Sequence, residues 1–258
     1  EKPFADQKNV TRIIKQFLLD ETNSNLKASS ITFIKCAITS YFTKNEHEIN
    51  ISFNSKSTHD NTVDLEQSMS ISEFMDFLTT GKPSVAEKAL FLCKFHRGLD
   101  VSTFADRFNY ESWGQIVQWF GSENYNSWDL EKCPVPISLT RVKTDYKHLG
   151  FLERDAIYQL QKYLDYRKTK TGQSMQEEEP LFLNKFGRPI TSTWISNSFS
   201  RIAERAGIQK FIKINGRKQF KMDSHELRDL LKSTLIDSGC RIDVADHVIG
   251  HKPKDSYE

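Results

Sequence analysis

Ser224-His225-Glu226-Leu227-Arg228 sets an imidazole and a guanidinium three residues apart at what reads as the start of a helix. On a helix, residues so spaced project from neighbouring points of one face. In the first turn they lie near the positive end of the helix dipole, where an anion is welcome. A guanidinium can hold two phosphate oxygens at once, and an imidazole can move a proton at neutral pH. Gly250-His251 follows one helix later and brings a further imidazole. Just upstream, Lys210, Lys213, Arg217, Lys218 and Lys221 share a stretch with Phe211 and Phe220 and no acidic residue. Such a strip can neutralise several phosphates of a nucleic-acid backbone. Metal chemistry fits less well. The HExxH pattern fails because its fifth position is Asp229, and His247 and His251, four apart, have no third ligand in view. The expectation is no metal.

These residues need elements to hold them. Residues 8–53 carry Val10, Ile13, Ile14, Phe17 and Leu18, then Ile31, Ile34, Ala37, Ile38, Tyr41 and Phe42, at helical spacing. They read as a small helical unit, 1–55. The stretch 54–68 has almost nothing to bury and reads as a linker, 56–68 at its narrowest, ahead of a larger domain over 69–258. Ser70-Ile71-Ser72-Glu73 opens a helix, and an apolar helix with Ala86, Ala89, Leu90, Cys93 and Phe95 follows. A hairpin is expected from Val135 to Val142 and His148 to Leu152 around a polar turn, with a helix over 153–168. The acidic run Gln176–Glu179 reads as a solvated loop. A helix over 192–206, a second hairpin over 208–222 around Asn215-Gly216, and helices over 224–238 and 242–250 complete the order. The fold class is therefore mainly α with short β-hairpins.

Composition narrows the function. The 258 residues hold 36 Lys plus Arg against 34 Asp plus Glu, a net +2, so the local charge distribution decides what the chain binds. No apolar run is long enough for a membrane helix. The start, Glu1-Lys2-Pro3-Phe4, has neither an initiator Met nor the apolar core of a signal peptide, which suggests a piece of a longer chain. Cys36, Cys93, Cys133 and Cys240 form no CxxC pair. Dispersed thiols fit a reducing cytoplasm and are expected to be buried small apolar residues.

The tail His225-Glu226-Leu227-Arg228, an apolar helix ending at Ser238-Gly239, then Asp246-His247-Val248-Ile249-Gly250-His251 resembles the signature of tyrosine recombinases, archaeal mobile-element integrases in particular. Pro180-Leu181-Phe182 and Gly187-Arg188-Pro189-Ile190 resemble that family's lead into the next helix. The resemblance implies a helical core-binding domain and an α+β catalytic domain that together clamp double-stranded DNA. It implies strand exchange without metal, ATP or other cofactor, through a 3′-phosphotyrosyl link. It further implies a monomer in isolation and a tetramer on recombination sites.

Carried over by position, Arg228 matches the second catalytic arginine, His225 the histidine three before it, and His251 the later phosphate-binding histidine. Lys143 matches the hairpin lysine that protonates the leaving 5′-oxygen, with Lys147 as a rival. Two positions depart from the family. Where the family has Gly-Leu-Arg, this chain has Gly98-Leu99-Asp100, and an aspartate there is expected to repel a phosphate. Arg97 lies about one helical turn earlier and is the expected substitute, with Arg107 as a fallback. The family's tyrosine falls beyond Glu258, whereas Tyr257 comes six residues after His251. Tyr257 is the expected nucleophile, unless the true one lies past the end of the sequence. These departures keep two alternatives open: a catalytically impaired DNA-binding protein on the same scaffold, and a type IB topoisomerase-like relaxing enzyme.

Overall fold

The computed structural model describes residues 7–20, 28–45, 49, 69–209, 211–214, 217–220 and 222–252. Lys210, Lys221, Tyr257 and the linker expected over 56–68 lie outside them. The chain divides into two compact units, Glu1–Gln67 and Ser68–Glu258. In the first, helices α1 (Gln7–Leu19) and α2 (Ala28–Lys44) turn apolar stripes inward. Ile14, Leu18 and Ile49 form its core, with Val10, Ile31, Ile34, Ile38 and Phe42 packed against them.

The second unit is built round one helix. α3 (Ile71–Thr79) and α4 (Val85–Arg97) each begin with a full capping box, Ser70 with Glu73 and Ser84 with Glu87. Each box satisfies backbone N–H groups that would otherwise lack partners. α4 is buried on nearly every side through Ala89, Leu90, Phe91, Leu92, Cys93, Lys94 and Arg97, as befits a central helix. Phe77 of α3 meets Phe91 edge-on and stacks on Phe199, each at a ring separation of 5.0 Å. α4 ends at Gly98, whose left-handed backbone (φ 55°) turns the chain sharply. Asp100 then caps a single turn, Val101–Thr103, by accepting a hydrogen bond from the Thr103 N–H.

A π-helical stretch, Phe104–Phe108, runs into α5 (Asn109–Phe120). The sequence pattern does not announce this helix. A π turn inserts an extra residue, so the apolar positions before and after it fall out of one 3.6-residue period. β1 (Val135–Thr140) and β2 (Lys147–Leu152) pair antiparallel, Val135 opposite Leu152 and Thr140 opposite Lys147. β1 stops two residues short of the expected Val142. Alternation buries Val135, Ile137 and Leu139 on β1, and His148, Gly150 and Leu152 on β2.

α6 (Arg154–Thr171) packs on α4, and α7 (Ser192–Arg205) follows. β3 (Phe211–Ile214) and β4 (Arg217–Phe220) form the second hairpin. α8 (Glu226–Asp237) and α9 (Ile242–Val248) close the described chain, α8 packing on α4 and α9 on β2. None of the described helices is long and apolar enough to cross a membrane. Two local expectations hold only in part, for Cys93 among the cysteines and for the exposed Gln176, Glu177 and Glu178 of the acidic run. Only Cys93 is fully buried, while Cys36 is exposed and Cys133 and Cys240 are intermediate. The acidic loop is not wholly solvated, because Glu179 pairs with the buried Arg167 at 2.6 Å.

Candidate active site

The C-terminal turn of α4, the inner face of β2 and the N-terminal turn of α8 meet behind one wall of the second unit. α4 supplies Arg97, which exposes none of its surface, and α8 supplies Arg228, which exposes 1%. Nε, Nη1 and Nη2 of Arg97, and Nε and Nη2 of Arg228, have no hydrogen-bond partner in the protein. A buried cation without a partner is unfavourable unless an anion offsets it. Arg97 reaches this position over Gly150, where a Cβ would sit 1.5 Å from Arg97 Nη1. Only glycine on β2 leaves room for the guanidinium.

The Asp100 carboxylate, expected to repel a phosphate, is itself held by cations. Its Oδ2 accepts from Arg141 Nε at 3.0 Å and lies 3.8 Å from Arg228 Nη1. Ser102 and Thr103 donate to the same carboxylate. Burial alone would raise its pKa, but the hydrogen bonds from Ser102, Thr103 and Arg141 outweigh it and hold the carboxyl well below its usual range. Arg141 Nη1 donates onward to the Gly250 carbonyl at 3.3 Å.

His148 lies on the same inner face of β2, 1% exposed. Its Nδ1 is 3.4 Å from the Tyr146 carbonyl, so Nδ1 carries the proton and Nε2 is a buried acceptor without a partner. Burial, with Arg97 and Arg228 adding to it, pushes its pKa down to about 4. Gly250 packs against this ring, with room for no Cβ. Burial also lowers Arg97 to about 9 and Arg228 to about 10, Arg141 adding to the effect on Arg228. Lys94, one turn before Arg97, is fully buried and donates Nζ to the Ser224 carbonyl at 2.5 Å. Burial lowers it to about 7, against the pull of Asp100.

The remaining groups form a rim. His225 stands at the N-cap of α8, exposed, with no side-chain cap bond. Burial of part of the ring lowers its pKa. His251 Nδ1 lies 3.0 Å from Asp246 Oδ1, and Lys232 Nζ holds the same oxygen at 2.7 Å. Leu149 N–H donates to His247 Nε2, so His247 Nδ1 donates to Tyr146 Oη at 2.8 Å. Lys143 is exposed in the turn between β1 and β2, and Lys147 is exposed at the start of β2.

The structure therefore brings Arg97 and Arg228 round one imidazole and sets His225 beside Arg228 in sequence at the helix start. His251 and Lys143 lie on neighbouring segments, tied in through Gly250 and Arg141. Arg107 pairs with Glu111 in the open at 3.2 Å and takes no part. Lys213 and Lys218 are cross-strand partners on the second hairpin, and Arg217 opposes Ile214. Sequence reasoning gave no role at this site to Lys94, Arg141 or His148, nor to Asp246 and His247, although these two lie in the signature it quoted. For His148 a signal existed: counting back by twos from Leu152 puts it on the buried face. Among the described residues no cluster of three His, Cys, Asp or Glu side chains suits a metal ion.

A family model described as the phage integrase family matches residues 125–256. The tyrosine recombinase XerC of Lactobacillus leichmannii is 24% identical over 102 residues, 40% of this chain and 31% of that protein. XerC of Leptospira interrogans is 26% identical over 122 residues, 44% of this chain and 35% of that protein. The matched stretch thus spans only about a third of these curated relatives. Among solved structures, the Tn1549 transposon integrase in complex with transposon right end DNA has a TM-score of 0.65 at 14% identity, over 94% of this chain and 78% of that one. XerH site-specific recombinase bound to difH has 0.61 at 17%, over 94% and 64%. A lambda integrase dimer bound to a COC′ core site has 0.59 at 15%, over 98% and 79%. At such identities the likeness is one of fold.

Proposed function

The chain belongs to the phage integrase family, and from that premise we propose that it is a site-specific recombinase that cuts and rejoins double-stranded DNA. A tyrosine oxygen, that of Tyr257, attacks the scissile phosphorus. The bond to the 5′-oxygen breaks as the 3′-phosphotyrosyl bond forms, so the energy of one ester is kept in the other. The phenolic proton passes to a rim imidazole, His225, whose pKa partial burial of the ring lowers. Lys143 protonates the departing 5′-oxygen. A 5′-hydroxyl of a partner strand then reverses the step. Arg97 and Arg228 offset the charge that builds on the phosphoryl oxygens, and His251 donates to one of them. These fixed cations and donors supply the charge stabilisation, so the step as written calls on no metal or ATP. The helical unit and the basic hairpin grip the duplex, with a monomer in solution and a tetramer on the recombination site, in the cytoplasm.

One observation carries this reading. Two buried guanidinium groups, Arg97 with no hydrogen-bond partner and Arg228 with Nε and Nη2 unpartnered, come from positions far apart in the sequence and converge on one imidazole. Packing gives no reason to collect positive charge in excess of the one carboxylate, Asp100, whereas a phosphoryl group would balance it. The test is a pool of nicked duplexes of random sequence incubated with the full chain and challenged with SDS. A detergent-stable protein–DNA adduct that disappears in Tyr257→Phe is expected. No adduct from any duplex in the pool overturns the reading in favour of a DNA-binding scaffold. Adduct with plasmid relaxation but no joint molecules would make it a relaxing enzyme.

A further inference from the structure

We propose that Arg141 is a third phosphate-binding arginine of this site and that Asp100 is its positioning residue; this rests on the strand-transfer reading above. Arg141 leaves the end of β1, two residues before Lys143, and its side chain is 13% exposed. Its protein bonds use Nε, to Asp100 Oδ2, and Nη1, to the Gly250 carbonyl. Both lock the plane of the guanidinium and leave Nη2 for an anion. The same Asp100 oxygen is the one that approaches Arg228, so Arg141 and Arg228 stand side by side on it.

Charge balance points the same way. One carboxylate, Asp100, is in contact with two guanidinium groups, and Arg97 adds a third with no carboxylate partner. One negative charge cannot balance three buried or half-buried positive ones, and the surplus fits an anionic diester better than it fits a structural ion pair. Asp100 also sets the turn that carries Lys143. Thr103 Oγ1 donates to Asp100 Oδ2 and accepts from the Val142 N–H at 3.2 Å. The backbone beside Lys143 and the guanidinium two residues earlier therefore hang from one carboxylate. The aspartate that looks like a defect in the sequence is the anchor of a relocated cation.

The experiment uses a nicked duplex recovered from the wild-type adduct pool and measures single-turnover adduct formation. Arg141→Ala is expected to slow it about 100-fold, the scale of losing one preorganised donor. Methylguanidinium added in solution should restore part of that loss, as it would not if Arg141 only braced the fold. Asp100→Asn should cost about tenfold in the wild-type background and clearly less than that in Arg141→Ala, since a large part of its effect runs through Arg141. Arg141→Ala reacting at the wild-type rate while Arg228→Ala does not would overturn the inference and leave the recombinase reading standing. So would an Arg141→Ala protein that is slow, insensitive to methylguanidinium and additive with Asp100→Asn. Wild-type rates in both arginine variants would remove the recombinase reading itself.

Discussion

The candidate site has an inner half and a rim, and the two are built on opposite principles. Arg97, Asp100, His148 and Arg228 are at most 3% exposed and come from α4, the turn that follows it, β2 and α8, with α4 packed on both β2 and α8. Lys143, His225 and the basic hairpin sit on turns, a helix cap and a two-stranded ribbon. Charges that stabilise a transition state work best when fixed and shielded from water, where they need no reorganisation. Groups that pass protons must meet DNA as it docks, and so belong where the chain can adjust. The inner half bears the desolvation of its cations, and core packing of α4 against β2 and α8 offsets that cost.

The sharpest way to break this division is to compare one residue from each half on a substrate whose leaving group needs no proton. Arg228→Ala should lose about 2.7–4 kcal/mol of transition-state stabilisation, some 100- to 1000-fold in adduct formation. Lys143→Ala should lose a comparable factor on ordinary DNA. When sulfur replaces the bridging 5′-oxygen, the leaving thiolate no longer needs an acid, so the Lys143→Ala defect should vanish while that of Arg228→Ala persists. Equal rescue of both, measured by single-turnover adduct formation, would mean that the halves do not divide the work.

Gly150→Ala tests the inner half without touching a charge. The new Cβ would fall 1.5 Å from Arg97 Nη1, so either the guanidinium or strand β2 must move. Overpacking of this kind costs about 1–3 kcal/mol. The expected outcome is a lowered melting temperature together with slower adduct formation, and unchanged DNA affinity. Gly114→Ala, where the backbone is not left-handed and a Cβ meets only Glu177 Oε1 at 3.5 Å, is the control for adding a methyl group at a glycine.

His148 gives a smaller effect with a definite sign. Its pKa is near 6.5 in an unfolded chain and about 4 in the fold. Between those values the unfolded chain binds a proton that the folded chain does not, so stability falls as pH drops from about 6.5 towards 4. The slope from one such group approaches about 1.4 kcal/mol per pH unit. Urea midpoints at pH 7, 6 and 5 should show it, and His148→Gln should flatten it. An unchanged slope in the variant would place the acid sensitivity elsewhere.

How far the sequence exposed this arrangement follows the same boundary. Arg228, His225 and His251 were legible because they sit in one short stretch with helix punctuation between them. Arg97 was singled out by its distance of one turn from an anomalous position, and the structure buries it beside His148. Arg141, His148 and Lys94 were not, because nothing local marks them. Arg141 matters through a carboxylate 41 positions away, and Lys94 through a carbonyl 130 away. The helices and hairpins were visible wherever an apolar period ran unbroken, and α5 was lost where the π turn breaks it. Asp100 was misjudged because its sequence neighbours hide Arg141, the partner that neutralises it.

The basic hairpin should show the smallest effect per residue, and its pattern matters more than its size. Lys213 and Lys218 are paired across β3 and β4, with Arg217 at the turn end of β4. A two-stranded ribbon bearing cations in register can follow a phosphate backbone, and such binding carries no sequence information. Replacing Lys213, Arg217 or Lys218 by Ala should therefore weaken binding to all duplexes by a similar factor. Each phosphate that loses its cation should reduce the slope of log affinity against log salt by about one. Titrations of the selected duplex and of an unrelated one, at several salt concentrations, test both points. If a single Ala variant changes affinity for the selected duplex alone, the hairpin reads bases. It would then belong with the groups that choose the site rather than with those that merely hold DNA against the arginines.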